Sequence, residues 1–245
     1  MKKNKNVKAE DNKKNTKKVK RGGTRSYRII YAIFSGIVGF LFNIKVVNKE
    51  REPDDSGYVV CANHVSATDP IALCYAFRKN QIFFMAKKEL FKVPIIAPLI
   101  KALGAFPIDR GGSDVGAVKT AISLVSNKQS MGIFPQGHRY VGVDPRGTKT
   151  KNGVSLIATK TGADILPCYI WRKKNKFMLF RRTYVIIGEK IPFESLNYNP
   201  DASGEYARIT DIAFDKICTL GEEFEAELNA KKNKNNKRDK RDKIK

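Results

Sequence analysis

From residue 48 to residue 229, short apolar runs rich in β-branched and aromatic side chains alternate with longer stretches of helical periodicity. That alternation restricts the chain more than any other feature. It predicts an α/β fold, a single domain with a mostly parallel mixed sheet flanked by helices, because strand–helix–strand connections lay successive strands parallel and cover both faces. The expected strands are 58–62, 81–85, 105–108, 131–134, 165–171 and 177–187, the last two as an antiparallel pair at an edge. One helix is expected after Asp69, with Pro70 at its first position, where an N–H would have no partner anyway. Residues 113–126 carry a Ser113 cap and an apolar stripe of Val115, Val118, Ile122 and Val125. Residues 89–103 read as helix interrupted by Pro94 and Pro98, and further helices are expected over 152–160 and 204–229. A composition of 42% hydrophobic residues can furnish a core. No phosphate-binding P-loop, G-x-G-x-x-G or G-x-S-x-G pattern occurs, which argues against nucleotide enzymes and serine hydrolases.

Charge divides the chain further. The net charge is +23, and residues 1–28 and 230–245 hold most of it. These ends are rich in Lys and Asn and poor in large apolar residues, so each is expected to be a disordered basic tail. Residues 29–42 are uncharged and apolar. As helix they would reach about 21 Å, short of a hydrocarbon core of about 30 Å. Extension to Val47 must include Asn43 and Lys45. Residues 29–47 are therefore read as a membrane-associating helical segment, with a core helix as the alternative. The domain proper is expected over 48–229. The four cysteines lie far apart with no C-x-x-C pair, which excludes a disulfide scaffold and a Cys-rich zinc module. No metal site is expected.

Only two histidines are available for proton transfer near neutral pH, His64 and His138. His64 follows a predicted strand and Asp69 precedes a predicted helix, the edge at which open α/β sheets carry their sites. On one continuous helix the two would diverge by about 140°. In a turn they can meet, and Asp69 would then fix one imidazole nitrogen and leave the other basic. The alternative is that Asp69 is only the cap of the helix that Pro70 begins. Other candidates follow other strands. Arg110 lies between Asp109 and Gly111-Gly112, Lys87 follows 81–85, and Gln136, Gly137 and Arg139 follow 131–134. If these strands share one parallel sheet, His64, Lys87, Arg110 and Arg139 gather on one edge, where a base faces several cations.

At these residues the sequence resembles the lysophosphatidic acid acyltransferase family, the 1-acylglycerol-3-phosphate O-acyltransferases. Asn63-His64-x-x-x-x-Asp69 looks like its H-x-x-x-x-D motif. Gly104 to Arg110 resembles its G-x-x-F-I-D-R block, with Pro107 as a variant. Phe134 to Arg139 resembles its F-P-E-G-T-R block, and Leu166 to Ile170 its V-P-V-x-I strand. Ala86-Lys87-Lys88-Glu89-Leu90 resembles the intervening A-K-x-E-L segment. The resemblance covers roughly residues 57–170. It implies acyl transfer from acyl-CoA or acyl-carrier protein to the free hydroxyl of a lysophospholipid, with His64 as base and Asp69 as its partner. It places Asn63, Lys87, Arg110, Gln136, Gly137 and Arg139 at the substrate. It also implies no cofactor beyond the acyl donor, membrane lipids as partners, and a place at the cytoplasmic face of the cell membrane. Two positions depart from the pattern: Gln136 stands where the family has Glu, and His138 where it has Thr. The alternatives are a different acceptor on the same scaffold, such as glycerol 3-phosphate, or a basic module that binds nucleic acid or a membrane surface.

Overall fold

The computed structural model describes residues 25–94, 96–109 and 114–242. Seven strands form one mixed sheet in the order β1-β7-β6-β2-β5-β3-β4. They are β1 (Ile44–Val47), β2 (Val59–Ala62), β3 (Ile82–Lys87), β4 (Ala105–Ile108), β5 (Ser130–Ile133), β6 (Ile165–Arg172) and β7 (Thr183–Ile187). The five strands from β6 to β4 are mutually parallel. β7 runs antiparallel to β6 and β1 parallel to β7. The helices are α1 (Arg25–Phe42), α2 (Asp69–Ala76), α3 (Ile96–Ala102), α4 (Val115–Ser126), α5 (Gly153–Thr161) and α6 (Glu205–Asp242).

Strand residues alternate between two cores, as a period of two requires. Val59 and Cys61 of β2, with Ile165 and Tyr169 of β6, join the core that α4, α5 and α6 cover. Val60 and Ala62, with Leu166, Cys168 and Ile170, join the core that α1 and α2 cover. Leu73 and Phe77 are fully buried in the second core, each contributing about 2–3 kcal/mol. α6 buries Ile209, Ala213, Ile217 and Phe224 along one stripe. Gly221 lies in that helix because a Cβ there would meet the Tyr169 ring at 2.5 Å. The glycine lets α6 lie directly on β6.

Several expectations are corrected. Residues 44–47 are not part of a membrane-associating helix but the edge strand β1. Asn43 takes a left-handed backbone (φ 44) and ends α1. The run Ile44 to Val47, β-branched at every position but Lys45, then suits a sheet better than a helix. β7 consequently has partners on both sides and is not an edge, and residues 177–182 stay outside it. Pro94 precedes α3, and a 3₁₀ segment Lys88–Lys92 stands before it. Pro98 is accommodated in the first turn of α3. The cap of α4 is Asp114, whose carboxylate accepts from Ala117 N at 2.8 Å, while Ser113 is outside the described residues. α4 buries Ala117, Ala121 and Val125 and leaves Val115 exposed. Residues 25–28 belong to α1, and residues 230–242, expected to be disordered, continue α6. A helix already nucleated on the core extends at little cost through Lys-rich sequence. The rest of the expected N-terminal tail, 1–24, lies outside the described residues, as do 243–245.

α1 docks one flank on the domain through Phe34 and Val38, and Tyr31 Oη donates to the Tyr75 carbonyl at 2.7 Å. Its outer flank exposes Ile29, Ile33, Ile37 and Phe40. Among the described residues no helix is long and apolar enough to cross a membrane.

Candidate active site

The C-terminal ends of β2, β5, β3 and β4 lie side by side, so the parallel sheet places the predicted residues on one edge. The chain leaves β2 at Asn63, turns tightly, and enters α2 at Asp69. Within that turn His64 Nδ1 lies 2.7 Å from Asp69 Oδ2. The same oxygen accepts from the Val65 and Ser66 amides at 2.7 and 2.8 Å. Those residues precede Asp69, so its carboxylate reaches backward and caps no amide of α2, whose N-cap is Thr68. This decides between the two readings of Asp69. The second oxygen, Oδ1, accepts from Arg172 Nη1.

Asp69 is completely buried, Arg172 is 2% exposed and His64 7%. An oxygen that receives two amide N–H groups acts as an acceptor toward the imidazole as well. Nδ1 is therefore the donor, and in the neutral imidazole the lone pair lies on Nε2. The imidazole stacks on Phe134 at 4.2 Å with a 16° tilt, which fixes the ring plane. Arg172 is held in turn by Thr183 Oγ1 at 3.2 Å and Thr68 Oγ1 at 3.2 Å, and its guanidinium lies 5.3 Å from the Phe177 ring centroid. The unit is thus a triad of base, carboxylate and buried cation. Arg172 was missed in the sequence because it lies far from Asp69 along the chain. The available signal is an Arg closing an otherwise apolar and almost wholly buried strand, a charge that must have a buried partner.

Asn63 and Gln136, both expected at the substrate, make hydrogen bonds within the protein that support the turn. The Asn63 side chain donates to the Ile170 carbonyl at 3.1 Å and accepts from its amide at 2.7 Å. It imitates one more peptide unit of β2 against β6 and lets the backbone turn away. Gln136 is buried, accepts from the His64 amide at 2.6 Å and donates to Thr148 Oγ1 at 2.8 Å. Both are positioning residues. A neutral amide suits that place, since it must accept at one end and donate at the other. The loop carrying Thr148 is tied to α6 by Arg146, which forks onto Glu222 at 2.5 and 3.1 Å and reaches Asp215 at 2.8 Å.

Beside the imidazole opens a cavity of about 310 Å³. Phe84, Met85, Ile108, Val118 and Ile133 make its walls apolar, and His64, Asp109, Gly137 and Lys151 supply polar groups. Gly132 is obligatory there, because a Cβ would stand 2.0 Å from the Phe84 ring. Gly137 adopts φ 70, which favours glycine. Lys151 is a cavity cation that the sequence reading did not single out. Lys87 stands on the same edge, but its Nζ lies 3.5 Å from Glu89 and it does not line the cavity. Lys88 pairs with Asp109. Arg139 is exposed on the adjoining loop. Arg110 lies outside the described residues. The His138 ring lies against Tyr140, centroids 4.3 Å apart and tilted by 36°, and has no carboxylate partner among the described residues, so the histidine built into a relay is His64. An imidazole with a free nitrogen beside an apolar, cation-bearing cavity can deprotonate an amphiphile's hydroxyl.

Comparison with known proteins agrees with this chemistry. The acyltransferase family model matches residues 43–171. The 1-acyl-sn-glycerol-3-phosphate acyltransferase of Bacillus subtilis is 35% identical over 150 residues, which are 60% of this chain and 73% of that protein. The enzyme of the same name from Streptococcus pneumoniae is 33% identical over 147 residues, 57% of this chain and 53% of that protein. The crystal structure of the 1-acyl-sn-glycerophosphate acyltransferase PlsC from Thermotoga maritima superposes with a TM-score of 0.60 at 24% identity, covering 80% of this chain and 78% of that one.

Proposed function

The chain belongs to the acyltransferase family, and from that premise we propose that it moves a fatty acyl group from acyl-CoA or acyl-carrier protein to the free hydroxyl of 1-acylglycerol 3-phosphate, forming phosphatidic acid. The observation that carries this reading is the His64 Nδ1 to Asp69 Oδ2 contact of 2.7 Å, which leaves Nε2 as the basic nitrogen of a residue lining an apolar cavity. Nε2 takes the acceptor's hydroxyl proton as the oxygen attacks the thioester carbonyl. The tetrahedral intermediate collapses by breaking the carbon–sulfur bond, and the imidazolium returns its proton to the leaving thiolate. The thioester is already activated, so no acyl-enzyme is needed. The enzyme's work is to position two amphiphiles and remove one proton. The buried Asp69 stabilises the imidazolium that forms between the two transfers, and Arg172 holds Asp69 in place. Lys151 in the cavity and Arg139 on the adjoining loop would hold the acceptor phosphate, with Lys87 and Lys88 on the same edge. The exposed row Ile29, Ile33, Ile37 and Phe40 of α1 supports seating on a membrane, at its cytoplasmic face, where both substrates are collected.

The test is product identification. Purified protein is supplied with lysophosphatidic acid and either acyl donor, and phosphatidic acid is sought. The wild type and His138→Ala should make it, and His64→Ala should not. Turnover retained in His64→Ala would overturn the assignment. Acylation of glycerol 3-phosphate in preference to lysophosphatidic acid would move the enzyme to the alternative acceptor.

A further inference from the structure

Residues 173–182, between β6 and β7, gather basic charge that no acidic side chain among the described residues neutralises. With Arg172 and Thr183 they line a second cavity of about 230 Å³, whose lining shares no residue with that of the cavity beside His64; Arg172 itself is neutralised by Asp69. Lys173, Lys174, Lys176, Arg181 and Arg182 face it, and none has an acidic partner among the described residues. Five like charges around one small cavity repel one another, and an anion there removes that repulsion. The segment is also fixed in place. Lys174, Asn175 and Phe180 all take left-handed backbone conformations, which are unfavourable without glycine. The Phe180 amide donates to the Leu41 carbonyl at 2.9 Å, and Asn175 donates to the Val143 carbonyl at 3.0 Å.

The border of this cavity is apolar. Met178, Leu179 and Phe180 are about half exposed, at 52, 50 and 55%. Phe180 meets Phe40 edge-on at 6.0 Å, and Phe40 ends the exposed row of α1. A basic cavity large enough to admit a phosphate therefore opens beside an apolar ridge. We infer that this cavity binds the phosphate of an anionic phospholipid in the bilayer surface, at a site separate from the acceptor site, while Met178, Leu179 and Phe180 enter the acyl layer. Nucleic acid would satisfy the cations but leave the ridge in water. A bilayer satisfies both. The inference does not depend on which acceptor the catalytic cavity takes.

The experiment measures partitioning of the full chain onto vesicles of phosphatidylcholine alone and of phosphatidylcholine with phosphatidylglycerol. The variant K174Q/K176Q/R181Q/R182Q is compared with K160Q/K216Q/K232Q/K234Q, which removes equal charge from exposed positions on α5 and α6 that do not line the cavity. A basic residue at an anionic surface contributes roughly fivefold in affinity. The loop variant should therefore lose at least about tenfold on the anionic vesicles, and the helix variant about threefold or less. Calorimetry with inorganic phosphate and with an acidic carrier protein provides the other arms. Equal losses in the two variants would overturn the site as mere net charge. Loss of phosphate or carrier-protein binding with vesicle binding unchanged would overturn the lipid assignment. All substituted residues are exposed, and an unaltered melting temperature confirms folding. Turnover on short-chain, dispersed substrates should stay at the wild-type level in both variants. If even the wild type shows no turnover, the acyltransferase reading fails while the vesicle result stands by itself.

Discussion

Replacing Asp69 by Asn separates the two tasks of that carboxylate. Oδ2 receives three N–H groups, from His64, Val65 and Ser66, and Oδ1 receives Arg172. An amide has one oxygen to offer. Turned toward His64, it keeps three hydrogen bonds and sets its NH₂ against the Arg172 guanidinium. Turned toward Arg172, it sets its NH₂ against three donors. The first orientation loses fewer bonds and is expected to prevail. His64 then retains its tautomer, so the rate should fall less than the roughly ten-thousandfold expected when the tautomer is wrong. The imidazolium loses a charged partner and keeps a neutral one, which costs about 2–4 kcal/mol in a dry site, or roughly 30- to 1,000-fold in kcat. Stability falls separately. Arg172 is left buried without its counter-charge, at a cost of about 3–5 kcal/mol, or about 10 °C in melting temperature for a domain of this size. Single-turnover rates with both substrates, and thermal melts of the same preparations, test both numbers. A kcat within fivefold of wild type would refute the coupling of Asp69 to the base. An unchanged melting temperature would refute the buried ion pair.

Three further outcomes follow from the same geometry. Gly132→Ala places a Cβ 2.0 Å from the Phe84 ring and should destabilise by about 1–3 kcal/mol while narrowing the cavity, seen as a lower melting temperature and a lower kcat/KM for long acyl substrates. Gln136→Leu strands the His64 amide at a buried site, which should cost about 1–3 kcal/mol and lower kcat with little change in KM. Glu205 is held down to about 2 by the Arg208 side chain and then by the Asn199 amide. A carboxylate so depressed adds stability above its unfolded value near 4.3, and that stability is lost as pH falls toward 2. Glu205→Gln should therefore weaken the pH dependence of the melting temperature between those limits, and an unaltered profile would contradict the pairing.

Much of the site was legible because its central contact is local. His64 and Asp69 lie in one turn, and a strand end followed by a Pro-initiated helix leaves few ways to arrange them. The gathering of β2, β3, β4 and β5 ends on one edge also followed from alternation alone, since parallel strands share an end. Other features were ambiguous in one dimension. Residues 29–47 read as one largely apolar stretch interrupted by Asn43 and Lys45, yet they divide into α1 and β1 at Asn43. Hydrophobicity reports burial without reporting the element that is buried. Asn63 and Gln136 have polar side chains in a motif, and nothing in the motif says whether they face a substrate or a neighbouring strand.

By itself the sequence indicated the strand–helix alternation, a mostly parallel sheet and one imidazole within reach of one carboxylate, since each depends on spacing within a single run of residues. Only the tertiary structure decided that Arg172 closes the relay, that Lys151 rather than Lys87 lines the cavity, and that five cations of the β6–β7 connection surround a second one. Those juxtapositions depend on which strand lies beside which and on the pitch at which each side chain leaves the sheet. Burying charge in company and leaving it exposed in company are properties of the packed assembly, and no local pattern records them.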